Sequence, residues 1–243
     1  MPSVEIANVL SCGGCVVGAV HTPAGLREAL RLRRGAVDFL EIRADAFAGQ
    51  EARLLAKLPA LAAPLIVTAR HPLEGGGGAL SAARRVGLQE TFLPHAALID
   101  VELRSLGPMQ GVIRQARAAG VGVILSHHDF KKTPSAAVLR KLALRAAEAG
   151  ADVFKVAAFT GAVRDLRVLL DFLDGEKRVP LSVMGMGPFG KISRLLFARA
   201  GSVLNYGFLD QSQVAGQWPA GLLKERIAEI TSGCASARDA APA

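Results

Sequence analysis

Short runs of β-branched and apolar residues alternate along the chain with longer Ala, Leu and Arg stretches whose apolar positions recur at helical spacing. The short runs fall at 15–20, 37–42, 65–69, 98–103, 122–126, 152–157, 181–184 and 202–206. Between them lie amphipathic stretches at 26–34, 81–92, 109–119, 136–149, 163–173, 192–200 and 222–231, and a shorter one at 51–58. Eight strand-then-helix units in 243 residues predict a single-domain α/β protein, a closed (β/α)8 barrel of the TIM type. An open doubly wound sheet would rarely keep so strict an alternation to the end. From about residue 233 the chain turns polar, with Ser236, Arg238 and Asp239 among alanines and prolines, and is expected to be disordered.

Composition narrows the classes. At 51% hydrophobic and 21% charged residues the chain can bury one well-packed core. No apolar run approaches the roughly 18 to 20 residues that cross a bilayer. The first ten residues lack a basic signal-type region, so a cytoplasmic protein with no membrane partner is expected. Cys12 and Cys15 form a lone C-x-x-C with no second pair and no nearby histidine, which reads as reduced thiols beside the first strand and not as a metal site. Lys and Arg number 29 against 21 Asp and Glu, a balance that suits an anionic metabolite or a nucleic acid equally. With 5% aromatics and scattered arginines there is no stacking platform, and nucleic acid is set aside as a partner.

In such a barrel the active site lies at the carboxyl ends of the strands, and unusual polar residues collect there. Glu41 and Arg43 end the second strand, Arg70 and Glu74 follow the third, and His127 and His128 follow the fifth. Lys155 lies within the apolar sixth strand, where alternation turns it inward with Val153 and Ala157. Desolvation and neighbouring cations would favour the neutral amine that attacks a ketone. The alternative is a lysine paired with a carboxylate such as Glu41 or Asp100. Of two adjacent histidines alternation sends one inward, and a histidine next door to Lys155 can act as general acid and base. Glu74 can orient that imidazole or be a solvated loop carboxylate, and the glycines 75–78 read as a flexible loop. Arg194, at the start of the seventh helix, can hold a carboxylate bidentately or be an ordinary surface arginine. The long connection from Tyr206 through Pro219 has the character of a loop that closes over a ligand.

Taken in order, E-I-R, T-A-R-H-P-L-E-G-G, S-H-H-D-F, A-D-V-F-K-V-A and M-G-M-G-P-F-G-K-I-S-R resemble the type I 3-dehydroquinate dehydratase family from about Cys15 to Gln217. The resemblance implies a barrel enzyme, usually homodimeric, that dehydrates 3-dehydroquinate to 3-dehydroshikimate without metal or organic cofactor. It implies that Lys155 forms the imine, that His128 moves protons and that Glu74 is its partner. Arg194 would then bind the substrate carboxylate, Glu41, Arg43 and Arg70 its hydroxyls and ring, and Gln217 would close the lid, with Met184 and Met186 lining the pocket. The family's Ser-Ala-Pro-Gly-Gln lid appears here as Gln213, Val214, Ala215, Gly216 and Gln217, so the open loop has lost a stiffening proline. Two rivals share part of the pattern: a class I aldolase, which does not account for the histidine motif together with E-G-G and S-R, and a non-catalytic barrel binding an anion. Aromatic biosynthesis and quinate breakdown use the same reaction, so the residues do not choose between them.

Overall fold

The computed structural model of the chain describes residues 14–232, so Cys12 and the polar tail lie outside the described residues. Among the described residues eight strands alternate with eight helices. In chain order these are β1 (Cys15–Val20), α1 (Pro23–Arg31), β2 (Phe39–Arg43), α2 (Glu51–Leu55), β3 (Leu65–Thr68), α3 (Ala82–Phe92), β4 (Ala96–Glu102) and α4 (Leu106–Ala118). They continue with β5 (Gly122–Asp129), α5 (Ala136–Glu148), β6 (Val153–Phe159), α6 (Val163–Gly175), β7 (Leu181–Met186), α7 (Gly190–Arg199), β8 (Leu204–Phe208) and α8 (Ala220–Ser232). The strands pair in parallel in the order β7-β6-β5-β4-β3-β2-β1-β8, which carries the sheet almost fully around. The last seam, between β7 and β8, is bridged by Val203 N donating to Leu181 O at 2.9 Å and by Ser182 Oγ donating to Leu204 O at 2.6 Å.

The two faces of this sheet bury different things. Outward residues such as Val16, Leu40, Val67, Leu125, Phe154 and Val183 pack against Leu88, Val112, Leu139, Leu169, Phe197 and Leu223 of the helices. Each such side chain contributes about 1.5–3 kcal/mol through burial. Inward residues follow the two-residue period of a strand and change character on the way up. Phe39 gives way to Glu41 and Arg43, Leu98 to Asp100 and Glu102, Ile124 to Ser126 and His128, and Val153 to Lys155. An apolar plug therefore closes the amino-terminal end of the barrel, and the charged groups are lifted to the carboxyl-terminal end.

Several boundaries differ from the sequence expectation. β5 runs on through Asp129 instead of stopping at Ser126, because its ladder to β6 continues through His127↔Val156, His128↔Ala157 and Asp129↔Ala158. The histidines thus sit inside the strand, and their polarity had hidden its end. β7 extends to Met186 by the same pairing with β6. α1 begins at Pro23, three residues earlier than predicted, where Thr22 Oγ1 accepts from Gly25 N at 2.8 Å and proline needs no amide partner. None of the described helices is long and apolar enough to cross a membrane.

Candidate active site

At the carboxyl end of the barrel, inward side chains of β2 to β6 form one charge network centred on Asp100. Arg70 grips its two oxygens through Nη1 and Nη2 at 3.0 and 2.8 Å, Ser126 Oγ donates at 2.6 Å and Lys155 Nζ donates at 2.9 Å. Burial alone would raise the Asp100 carboxyl, but Arg70 and then Lys155 outweigh it and hold it well below the usual carboxylate range. Arg70 Nη1 also donates to Glu102 at 3.1 Å, and Glu102 in turn accepts from Arg85 and Ser105. Most of the Arg70 guanidinium is therefore committed to protein carboxylates.

Lys155 is 4% exposed, with Nζ 3.6 Å from Glu41 and 3.8 Å above the centre of the Tyr206 ring. The groups closest to the amine are two carboxylates and an aromatic face, not the cations expected from the sequence. Pairing with Asp100, offered above as the alternative to a functional lysine, coexists here with a place in the pocket wall. Glu41 accepts from Thr68 Oγ1 at 2.9 Å, which fixes its rotamer beside Lys155.

His128 faces the same cavity, and the ladder turns His127 to the other face of the sheet. Glu74 Oε2 lies 2.9 Å from His128 Nδ1 and accepts from His128 N at 3.0 Å. Burial pushes the Glu74 carboxyl up to about 7 against the pull of Arg70. Burial, then Arg70 and Lys155, hold the imidazole well below its ordinary value, so the ring is neutral at neutral pH. With ionised Glu74 as acceptor the proton resides on Nδ1, and Nε2 is left as the base. Phe130 stacks on the ring with centroids 6.5 Å apart.

The glycine run after Glu74 is pinned, a correction to its reading as flexible. Arg43 donates to Asp45 through Nε and Nη2 at 3.0 and 2.8 Å and to Gly75 O at 2.8 Å, and Asp45 accepts from Gly77 N at 2.8 Å. Gly76 passes so close to the preceding strand end that a Cβ there would stand 2.3 Å from Arg70 O.

Arg194 is 1% exposed. Its Nε donates to Tyr206 O at 2.9 Å, and its Nη1 donates to the carbonyls of Gly185, Gly190 and Gly216 at 2.8–2.9 Å. Nη2 has no partner among the described residues, no carboxylate pairs with the guanidinium there, and burial pulls it down to about 10. The bond to Gly216 O reaches the connection between β8 and α8, which Gly187 N also holds through Ala215 O at 2.9 Å. In that loop Gln217 Oε1 accepts from Gln213 N at 2.7 Å, so the side chain folds under its own turn.

All ten residues singled out in the sequence, Glu41, Arg43, Arg70, Glu74, His128, Lys155, Met184, Met186, Arg194 and Gln217, line one cavity of about 620 Å³, counting the solvent at its mouth. Sequence reasoning missed the central role of Asp100 and the presence of Phe130 and Tyr206 in the wall. Asp100 carried a signal, since it stands two residues before Glu102 in an otherwise apolar strand.

This fold and site define a (β/α)8-barrel enzyme with a charge-lined pocket at the carboxyl end of the barrel. A sequence profile for type I 3-dehydroquinase matches residues 15–231, and the chain belongs to that family. A 3-dehydroquinate dehydratase of Thermococcus gammatolerans is 35% identical over 208 residues, 83% of this chain and 92% of that protein. A catabolic 3-dehydroquinate dehydratase of Acinetobacter baylyi is 29% identical, over 80% of this chain and 74% of that one. Among solved structures, a type I 3-dehydroquinate dehydratase of Clostridium difficile with covalently modified comenic acid superposes with a TM-score of 0.82 at 26% identity, covering 91% of this chain and 94% of the other.

Proposed function

We propose that this enzyme dehydrates 3-dehydroquinate to 3-dehydroshikimate through an imine on Lys155. The observation that carries the reading is the convergence, in one cavity, of the Lys155 amine and a neutral His128 braced by Glu74. Once Lys155 has released its ammonium proton through the cavity to solvent, the amine attacks the C3 ketone, and water leaves as the iminium forms. The iminium accepts the electrons of the C2–H bond while His128 Nε2 takes the proton. His128 then gives that proton to the C1 hydroxyl, which leaves as water, and hydrolysis of the imine restores the amine. No metal or organic cofactor is needed for these steps.

Arg194 is the carboxylate ligand in this reading, because a buried guanidinium with one nitrogen unpartnered and no acid beside it is completed by an anion. Glu41 and Arg43, with Arg70 behind them, meet the substrate hydroxyls and ring. Met184 and Met186 supply the apolar wall, and Gln217 carries the lid. We take the catalytic unit to be the single barrel, acting as a cytoplasmic homodimer. The purified protein should raise an enone absorbance when mixed with 3-dehydroquinate. No absorbance change with pure substrate would overturn the reading.

A further inference from the structure

Arg104 stands in the short turn between β4 and α4, outside the cavity, with 43% of its side chain exposed. Its Nε is 2.9 Å from Glu74 Oε1, the oxygen that His128 does not use. The Glu74 carboxylate, itself 3% exposed, is thus held between an imidazole on the pocket side and a guanidinium on the solvent side. We propose that Arg104 is a positioning residue: it holds Glu74 Oε1 from the solvent side, so that Oε2 stays turned to His128 Nδ1 and the ring presents Nε2 to the pocket.

Two features of the surroundings make this cation matter. Burial drives Glu74 toward its protonated form, up to about 7, and the Glu102 carboxylate pushes the same way. Two cations pull Glu74 the other way, Arg70 after β3 more strongly and Arg104 after β4, while Arg43 on β2 and Lys155 on β6 share the cavity wall. Arg70 is committed to Asp100 and Glu102, Lys155 to Asp100, and Arg43 to Asp45. Among the described residues Arg104 is the cation in direct contact with Glu74. His71 and His127 flank Arg104 and are held below their ordinary value, chiefly by burial, so they do not substitute for its charge near neutrality. If Glu74 takes up a proton it becomes a weaker, neutral acceptor, and its O–H can instead donate to Nδ1, which moves the ring proton to Nε2 and removes the base from the pocket side.

The sign follows directly. Removing a cation from beside a carboxylate favours protonation, so without Arg104 the Glu74 midpoint moves up and the active form is lost at a higher pH. Because Arg104 is partly solvated, the expected displacement is modest, about half a pH unit to one unit.

The test uses the full chain as wild type, Arg104→Met and Arg104→Lys, each checked for folding by circular dichroism. With ¹³C-labelled glutamate, the Glu74 carboxyl resonance is titrated by NMR, assigned through Glu74→Gln. The midpoint should rise by half a unit or more in Arg104→Met and return toward wild type in Arg104→Lys. In turnover of 3-dehydroquinate, Arg104→Met should lose about three- to tenfold at pH 6, with the loss all but gone at pH 9. A Glu74 midpoint unmoved in Arg104→Met, or a loss equal at every pH, overturns the proposal. The turnover arm rests on the dehydratase reading and the NMR arm does not. A wild type without activity would therefore sink that reading, while the Glu74 midpoint would still decide the role of Arg104.

Discussion

A carboxyl group that binds protons more tightly folded than unfolded lowers stability as it ionises, and Glu74, at about 7 in the fold, does this between about pH 4 and 7. The cost is about 3 kcal/mol, fully present above pH 7 and absent below pH 4. Glu74→Gln should therefore melt higher than wild type at pH 8 and close to it at pH 4, while turnover falls. A lower Tm at pH 8 would contradict this. Asp100 has the opposite sign: its contribution is present above about pH 4 and is lost as the pH falls through its depressed folded value. For the histidine pair, His128→Ala should cut turnover by about 100-fold or more and His127→Ala by much less, since only His128 faces the cavity. Reversed effects in steady-state kinetics would refute that assignment. At this scale the sequence was informative wherever a polar residue was rare for its context, as with Lys155 in an apolar strand. The pairing of Lys155 with Asp100, 55 residues away, could be named from the sequence only as one of two options, and it is the ladder from β4 through β5 to β6 that brings them to 2.9 Å.

The connection between β8 and α8 shows what an element adds. Arg194 and Gly187 hold its carbonyls, and Gly216 has φ +84° with its would-be Cβ 2.5 Å from Gly187 O. Gly216→Ala is thus doubly obstructed and should raise KM at least tenfold with a smaller effect on kcat. A KM within twofold of wild type would show that the loop does not hold substrate in this conformation. The Ala215 amide donates no hydrogen bond among the described residues, so Ala215→Pro removes none and reduces the freedom of the open loop. It should lower KM about two- to fivefold at constant kcat; an unchanged KM would mean that the existing tethers already order the loop. Strand and helix identities were readable from periodicity, and their ends were not. β5 outran its apolar run because ladder bonds to β6 continue under polar side chains, and α1 started early because a threonine cap and a proline need no apolar period.

At the scale of the molecule the barrel joins distant motifs into one cavity, which is why five short motifs in order were informative when single arginines and histidines were not. The net charge of +8 favours encounter with an anionic substrate and says nothing of the fold. Ile192 and Leu196, four apart on α7 and 56% and 37% exposed, give an apolar strip that the proposed homodimer could cover. Sedimentation velocity should return twice the mass of the 25.4 kDa chain, and a monomer at micromolar concentration would remove that element of the reading. The central claim is the covalent role of Lys155. Borohydride added with 3-dehydroquinate should reduce the imine and leave one ligand per chain by intact mass, located at Lys155 by peptide mass spectrometry, with activity lost in step. A reduced adduct on another lysine, or full turnover in Lys155→Ala, would contradict the account.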